Sequence, residues 1–305
     1  MSRTLLITGA TGKQGGSVIQ ALIDDAADFQ ILAVTRDSNS PSAKRLASKS
    51  PNITVVQGNL DDVEGIFQEA EKSSKSPIWG VFSVQAPAMN KNGPIIEEKQ
   101  GKALVDAAIK HGVKYFVYSS VDRSGDRSFD NPTDIPHFIS KHAIEHHLVE
   151  SSKGTDLEYT ILRPVAFMEN FDGGFIGKVF ATSWRLVVKS RPLQLIAAAD
   201  IGIFGAKAFI SPQEFSGKAI SLAGDELTYE EMKKVFAKKT GQAAPATWSI
   251  LAHFVLWMSK EMGTMFTFFE KEGYGADIEA LRKIHPNIMD LETWLGRSSY
   301  VKKDA

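Results

Sequence analysis

The chain of 305 residues sets 35 basic against 36 acidic residues, a formal net charge of -1, and intersperses the two signs along its length. Such a balance argues against a surface built for nucleic acid or anionic lipid. With no cysteine, disulfides, thiolate metal sites and cysteine nucleophiles are excluded, and a cytoplasmic setting fits.

The first apolar run, Leu5-Leu6-Ile7, is too short for a signal-peptide core and leads into glycines rather than a cleavage site. In chain order, β-type runs are expected at residues 4–8, 31–35, 53–57, 80–84, 115–119 and 159–162. Helical patterns alternate with them at 15–24, 41–47, 63–72, 95–111 and 140–151. This is the rhythm of βαβ units, and it predicts an α/β fold with a doubly wound, mainly parallel sheet of the Rossmann type. After Arg163-Pro164 the runs become longer, irregular and aromatic, so a first domain over 1–163 and a smaller, mostly helical lobe for substrate or partner over 164–305 are expected. That boundary is diffuse, because residues 219–223 can return a strand to the sheet.

In the lobe, Trp248, Phe254, Trp257, Met258, Met262, Met265, Phe266 and Phe269 recur at helical spacing, which predicts a buried stripe. If some of them line a cleft instead, its ligand is apolar or aromatic. His253, Ser259, Lys260 and Glu261 interrupt the stretch, so it does not read as a membrane span of about 20 apolar residues.

The strongest motif is Gly9-Ala10-Thr11-Gly12-Lys13-Gln14-Gly15, which follows the first strand and opens the first helix. Glycines at 9, 12 and 15 permit a tight turn and close backbone approach to a diphosphate, while helix-start amides favour the anion. Lys13 and Gln14 could add side-chain contacts. Where the second strand ends, an acidic residue would grip the ribose of NAD; Thr35-Arg36 stands there instead. A guanidinium can pair bidentately with a 2′-phosphate, so the expected cofactor is NADP(H), with neighbouring Asp37 leaving room for NAD. Gly58-Asn59-Leu60-Asp61-Asp62 closes the third strand, where Asn59 and Leu60 could face adenine and Asp61 either joins them or caps the next helix. Ser83-Val84-Gln85-Ala86-Pro87 ends the fourth strand near the middle of the expected cofactor.

These residues, with Glu98-Lys99-Gln100-Gly101-Lys102, His137-Phe138-Ile139-Ser140-Lys141, Leu162-Arg163-Pro164 and Phe167-Met168-Glu169-Asn170, resemble the NmrA-like family. This is an atypical branch of the short-chain dehydrogenases, related to isoflavone reductases. The resemblance covers residue 4 to about 210 and implies an NADP(H) preference carried by Thr11, Gly12, Gln14, Thr35 and Arg36. It further implies that Lys99 and Lys141 reach the cofactor and that Asn170 lies near its nicotinamide end.

Ordinary short-chain dehydrogenases use a Tyr-x-x-x-Lys pair; here Lys141 is kept, but His137 holds the tyrosine position. Pro136 predicts that His137 sits in the first turn of its helix. His137 then either acts as the acid or joins Lys141 in holding ribose hydroxyls. Ser119, at the end of the fifth strand with Ser120, is a candidate for polarising a substrate or for capping the next segment. His142 and His146 have metal-like spacing but lack a third ligand, so no metal is expected. Two functions follow as expectations: an NADP(H)-dependent reductase of a small apolar or aromatic substrate, or a non-catalytic NADP(H) sensor that binds a protein partner.

Overall fold

Leu5, Leu6 and Ile7 are wholly buried, as the central strand of a sheet covered on both faces requires. The computed structural model to which they belong describes residues 2–85, 92–172 and 174–301. Its first elements are β1 (Arg3–Ile7), α1 (Lys13–Asp24), β2 (Phe29–Thr35), α2 (Pro41–Ala47), β3 (Ile53–Gln57), α3 (Val63–Ser73), β4 (Ile78–Ser83), α4 (Gly93–Lys110), β5 (Tyr115–Ser119), α5 (Pro136–Ser152) and β6 (Glu158–Pro164). There follow β7 (Ala166–Phe167), α6 (Phe175–Ser183), β8 (Leu193–Ile196), α7 (Ala198–Ile210), α8 (Pro212–Phe215), β9 (Lys218–Leu222), β10 (Asp225–Leu227) and α9 (Tyr229–Thr240). The last four helices are α10 (Ser249–Met258), α11 (Lys260–Lys271), α12 (Ile278–Ile284) and α13 (Leu291–Arg297).

The main sheet runs β3-β2-β1-β4-β5-β6-β9, with the pairs from β3 through to β6 all parallel. The six strands expected in the first half are present, and the run near 219–223 does supply β9. The helices begin where side chains can hold their first amides. Ser40 accepts from the Ala43 amide ahead of Pro41 in α2, and Asp62 accepts from the Gly65 amide in α3.

Two compact units divide the chain, and the division is discontinuous. The first holds Met1–Ser120, Ile139–Arg163 and Ile201–Ile220; the second holds Val121–Phe138, Pro164–Asp200 and Ser221–Ala305. One of the breaks falls at Arg163/Pro164, and residues 121–138 join the second unit while 201–220 join the first. Within the first unit, Leu6, Leu32, Ile66, Phe67, Val81 and Phe116 head an apolar core. Buried in the same unit, Glu145 accepts from Ser120 and pairs with Arg163 at 2.6 Å.

The second unit has its own sheet, β10-β8-β7, and a core around Phe171, Phe180, Trp184, Phe236 and Phe266. Asp122, wholly buried, draws distant segments together. Its carboxylate accepts the amides of Ser124, Gly125 and Gly275 and the hydroxyl of Ser221. Near the chain's end, Tyr300 donates its hydroxyl to the Phe171 carbonyl at 2.7 Å.

The expected apolar stripe at 248–269 is not one buried helix. Ser259 leaves helical geometry, with φ -106° and ψ 102°, and its hydroxyl caps α11 by accepting from the Met262 amide. Met262, Phe266 and Phe269 are buried, whereas Trp248, Phe254, Trp257 and Met258 are exposed. No helix among the described residues is long and apolar enough to cross a membrane.

Candidate functional site

Strand order changes direction between β1 and β4, and in doubly wound sheets a ligand crevice opens beyond the carboxyl ends of strands at such a point. Buried Thr8 joins those two ends. Its hydroxyl lies 3.1 Å from the carbonyls of both Phe82 and Val84, and it accepts the Val84 amide at 2.9 Å. The chain then turns at Gly9, whose φ of +58° is left-handed and where a Cβ would meet Val84 Cγ1 at 2.7 Å. The Gly12 amide donates back to the Gly9 carbonyl at 2.8 Å, and Gly12 caps α1 without a side-chain acceptor. The first turn of α1 thus starts without a side-chain cap, and the amides of such a turn suit an anion. A Cβ on Gly15 would stand 2.5 Å from the carbonyl oxygens of Thr8 and Gly9, so only glycine lets α1 start this close to β1. Thr11 and Lys13 are exposed at the turn.

A polar chain within the first unit links several residues expected from the sequence. Ser119 donates its hydroxyl to Gln14 Oε1, and Lys141 Nζ donates to the Ser119 carbonyl at 3.4 Å. Lys141, only 8% exposed, forms an ion pair with Glu97 at 2.9 Å, and Ser140 donates to the other Glu97 oxygen at 2.6 Å. Sequence reasoning missed Glu97. It falls on the buried face of α4 with Gly101, Leu104, Val105 and Ala108, and a carboxylate in an apolar stripe demands a partner.

Arg36 follows β2 and is exposed, with no carboxylate partner among the described residues, while the Thr35 hydroxyl reaches the Asp37 carbonyl at 3.4 Å. Beyond β3, Asp61 accepts from Gln100 at 2.7 Å and from the Asn59 amide group at 3.0 Å. Those bonds, Gln100 first, together with the Lys99 charge hold its carboxyl below the usual carboxylate range. Asp62, not Asp61, caps α3. Leu60 packs partly buried on the first unit's core, and Lys99 is exposed. Gln85, 3% exposed, donates to Ser83 at 2.9 Å, while its Oε1 meets no hydrogen-bond donor among the described residues. Ala86 and Pro87 lie outside those residues.

His137 and Asn170 belong to the second unit. His137 stands in the first turn of α5, as Pro136 predicts, and its Nδ1 is hydrogen-bonded to the Glu261 carboxylate. Asn170 ends the short 3-10 turn Met168–Asn170 and is half-buried. His142 and His146 face each other with ring centroids 4.3 Å apart; among the described residues no group of three or more His, Cys, Asp or Glu side chains is placed to hold a metal.

Comparison with known proteins agrees with this architecture. The model of the NmrA-like family matches residues 1–295. The NmrA-like family domain-containing oxidoreductase notA of an Aspergillus species is 30% identical over 292 residues, which cover 83% of this chain and 78% of that protein. Among solved structures, the NADPH-dependent quinone oxidoreductase QOR2 of Escherichia coli, complexed with NADPH, superposes with a TM-score of 0.74 at 20% identity, covering 96% of this chain and 99% of that one. Nmra, a negative transcriptional regulator in complex with NAD, gives 0.67 at 17% identity, covering 98% and 95%.

Proposed function

The chain belongs to the NmrA-like family, and from that premise we propose that it is a reductase that binds NADP(H) at the Gly9 to Gly15 turn and acts on a small apolar or aromatic compound. The observation that carries this reading is the tight turn itself: Gly9 at a left-handed φ and Gly15 without room for a Cβ bring the start of α1, which has no side-chain cap, against the end of β1. Gly12, Lys13 and Gln14 would hold the diphosphate, with Thr11 beside them. Thr35 and Arg36 would take the 2′-phosphate, and Asn59, Leu60 and Asp61 the adenine. Gln85 presents a buried acceptor at the middle of the strand ends, and Lys99 adds positive charge. A bound nicotinamide would supply the hydride chemistry.

The protein's own contribution is orientation and a proton or hydrogen-bond donor. An ammonium has three N–H donors; that of Lys141 donates one to the Ser119 carbonyl and pairs by charge with Glu97. A further N–H can serve a ribose hydroxyl or a substrate oxygen. That the solved neighbour QOR2 is named a quinone oxidoreductase supports a flat, apolar carbonyl compound as substrate.

A second reading, a non-catalytic sensor, draws support from His137: the tyrosine position holds an imidazole already engaged by Glu261. Calorimetry with NADPH and NADH, followed by NADPH oxidation against quinones and aromatic carbonyls, separates the two. Arg36→Glu is expected to weaken NADPH binding at least about 30-fold, roughly 2 kcal/mol, and to leave NADH unharmed. Equal loss of both nucleotides, or none, would contradict the role given to Arg36. Tight NADPH binding with no turnover on any compound would favour the sensor.

A further inference from the structure

Helix α10, SILAHFVLWM, contains no acidic residue, no lysine and no arginine, yet it turns an apolar stripe to solvent. Ile250, Phe254 and Trp257, at i, i+4 and i+7, are 85%, 55% and 78% exposed. Met258, one turn after Phe254, is 63% exposed, and Trp248 at the N-cap is 83% exposed. Ala252, on the opposite side, is wholly buried, and the helix packs on α6 and α11. The stripe is therefore the outward face of a docked helix rather than a core face left uncovered by fraying.

Taking about 150–250 Å² for a large side chain, these five together present on the order of 700 Å². Monomers rarely expose contiguous apolar patches beyond a few hundred Å². A stable interface draws about 800 Å² from each partner, so one such face laid on its own copy comes near the size needed. Interface centres are rich in Trp, Phe and Met and poor in charge, as this stripe is.

We propose that α10 is a homodimer contact, pairing stripe against stripe across a two-fold axis. A two-fold contact uses the same patch twice and needs only self-complementarity, which an apolar face with His253 as its one titratable side chain has. A foreign partner would be chosen by complementary charge, and α10 offers no carboxylate, lysine or arginine for it. Helices that lie on membranes carry lysine and arginine along their polar side, and α10 has neither.

Sedimentation equilibrium of the full chain tests this without reference to the cofactor. The expected result is a dimer at micromolar concentration that Phe254→Glu with Trp257→Glu converts to monomer, with circular dichroism unchanged because both residues are exposed in the single chain. Cross-linking gives a second reading. Since the chain has no cysteine, a single cysteine placed in turn at Ile250, His253, Phe254 and Trp257 should give a disulfide-linked dimer under mild oxidation in at least one case, whereas Glu69→Cys in the first unit should not. A monomer at every concentration overturns the proposal, as does a dimer that survives the double substitution. So does a monomer that floats with phosphatidylcholine–phosphatidylserine vesicles and loses them on the same substitution.

Discussion

Gly15→Ala is expected to weaken NADPH binding by roughly 100-fold, about 2.7 kcal/mol, and to lower the melting temperature as well. The added methyl group would meet the carbonyl oxygens of Thr8 and Gly9 at 2.5 Å, and these are backbone atoms that cannot swing aside. Relief requires α1 to draw back from the end of β1, which moves the amides of its first turn away from the anion they would bind. Gly154→Ala is the matched control. Its φ of +72° makes alanine strained, but nothing lies within 4 Å of the new carbon. That change should cost stability of about 1 kcal/mol and leave affinity alone. Isothermal titration of both variants decides the matter; equal affinity for Gly15→Ala and the parent would remove the glycine turn as the cofactor cradle.

Lys141→Met and Glu97→Leu should each cost the first unit about 3–5 kcal/mol, because each leaves the other group buried without its counter-charge. Lys141 is 8% exposed and Glu97 1%. Replacing both together should recover most of the loss, since the apolar pair leaves no stranded charge, and urea denaturation of the four proteins measures it. Strict additivity would show that the two groups do not act as a pair. The double variant also isolates function from folding. If Lys141 reaches the nucleotide, that stable protein still binds NADPH at least about 10-fold more weakly, near 1.4 kcal/mol; undiminished affinity would make the pair purely architectural.

Much of the first unit is legible in the sequence because strands and crossing helices declare themselves through local periodicity. The glycine turn and the Thr35-Arg36 strand end are equally local. What escapes is what depends on partners far along the chain. The sequence lets Asp61 cap the next helix or join the adenine contacts, but Asp62 takes the cap and Asp61 instead accepts from distant Gln100. The apolar spacing at 248–269 reveals one-sidedness but not what covers each side, so Trp257 and Phe269 look alike although one is exposed and the other buried. Residues 121–138 follow β5 in sequence yet join the second unit, since the Asp122 carboxylate is satisfied by Gly275, more than a hundred residues later.

That long-range carboxylate cluster bears on the order in which the protein can mature. A nascent polypeptide halted after residue 220 already contains every residue of the first unit. At that moment neither the Gly275 amide nor the Tyr300 hydroxyl has been synthesised, so Asp122, already bonded to Ser124 and Gly125, still awaits Gly275, and the Phe171 carbonyl still awaits Tyr300. Until then the half-built second unit must keep its aromatic residues from aggregating without its full core, which makes the interval between residues 220 and 300 the vulnerable stage of biogenesis.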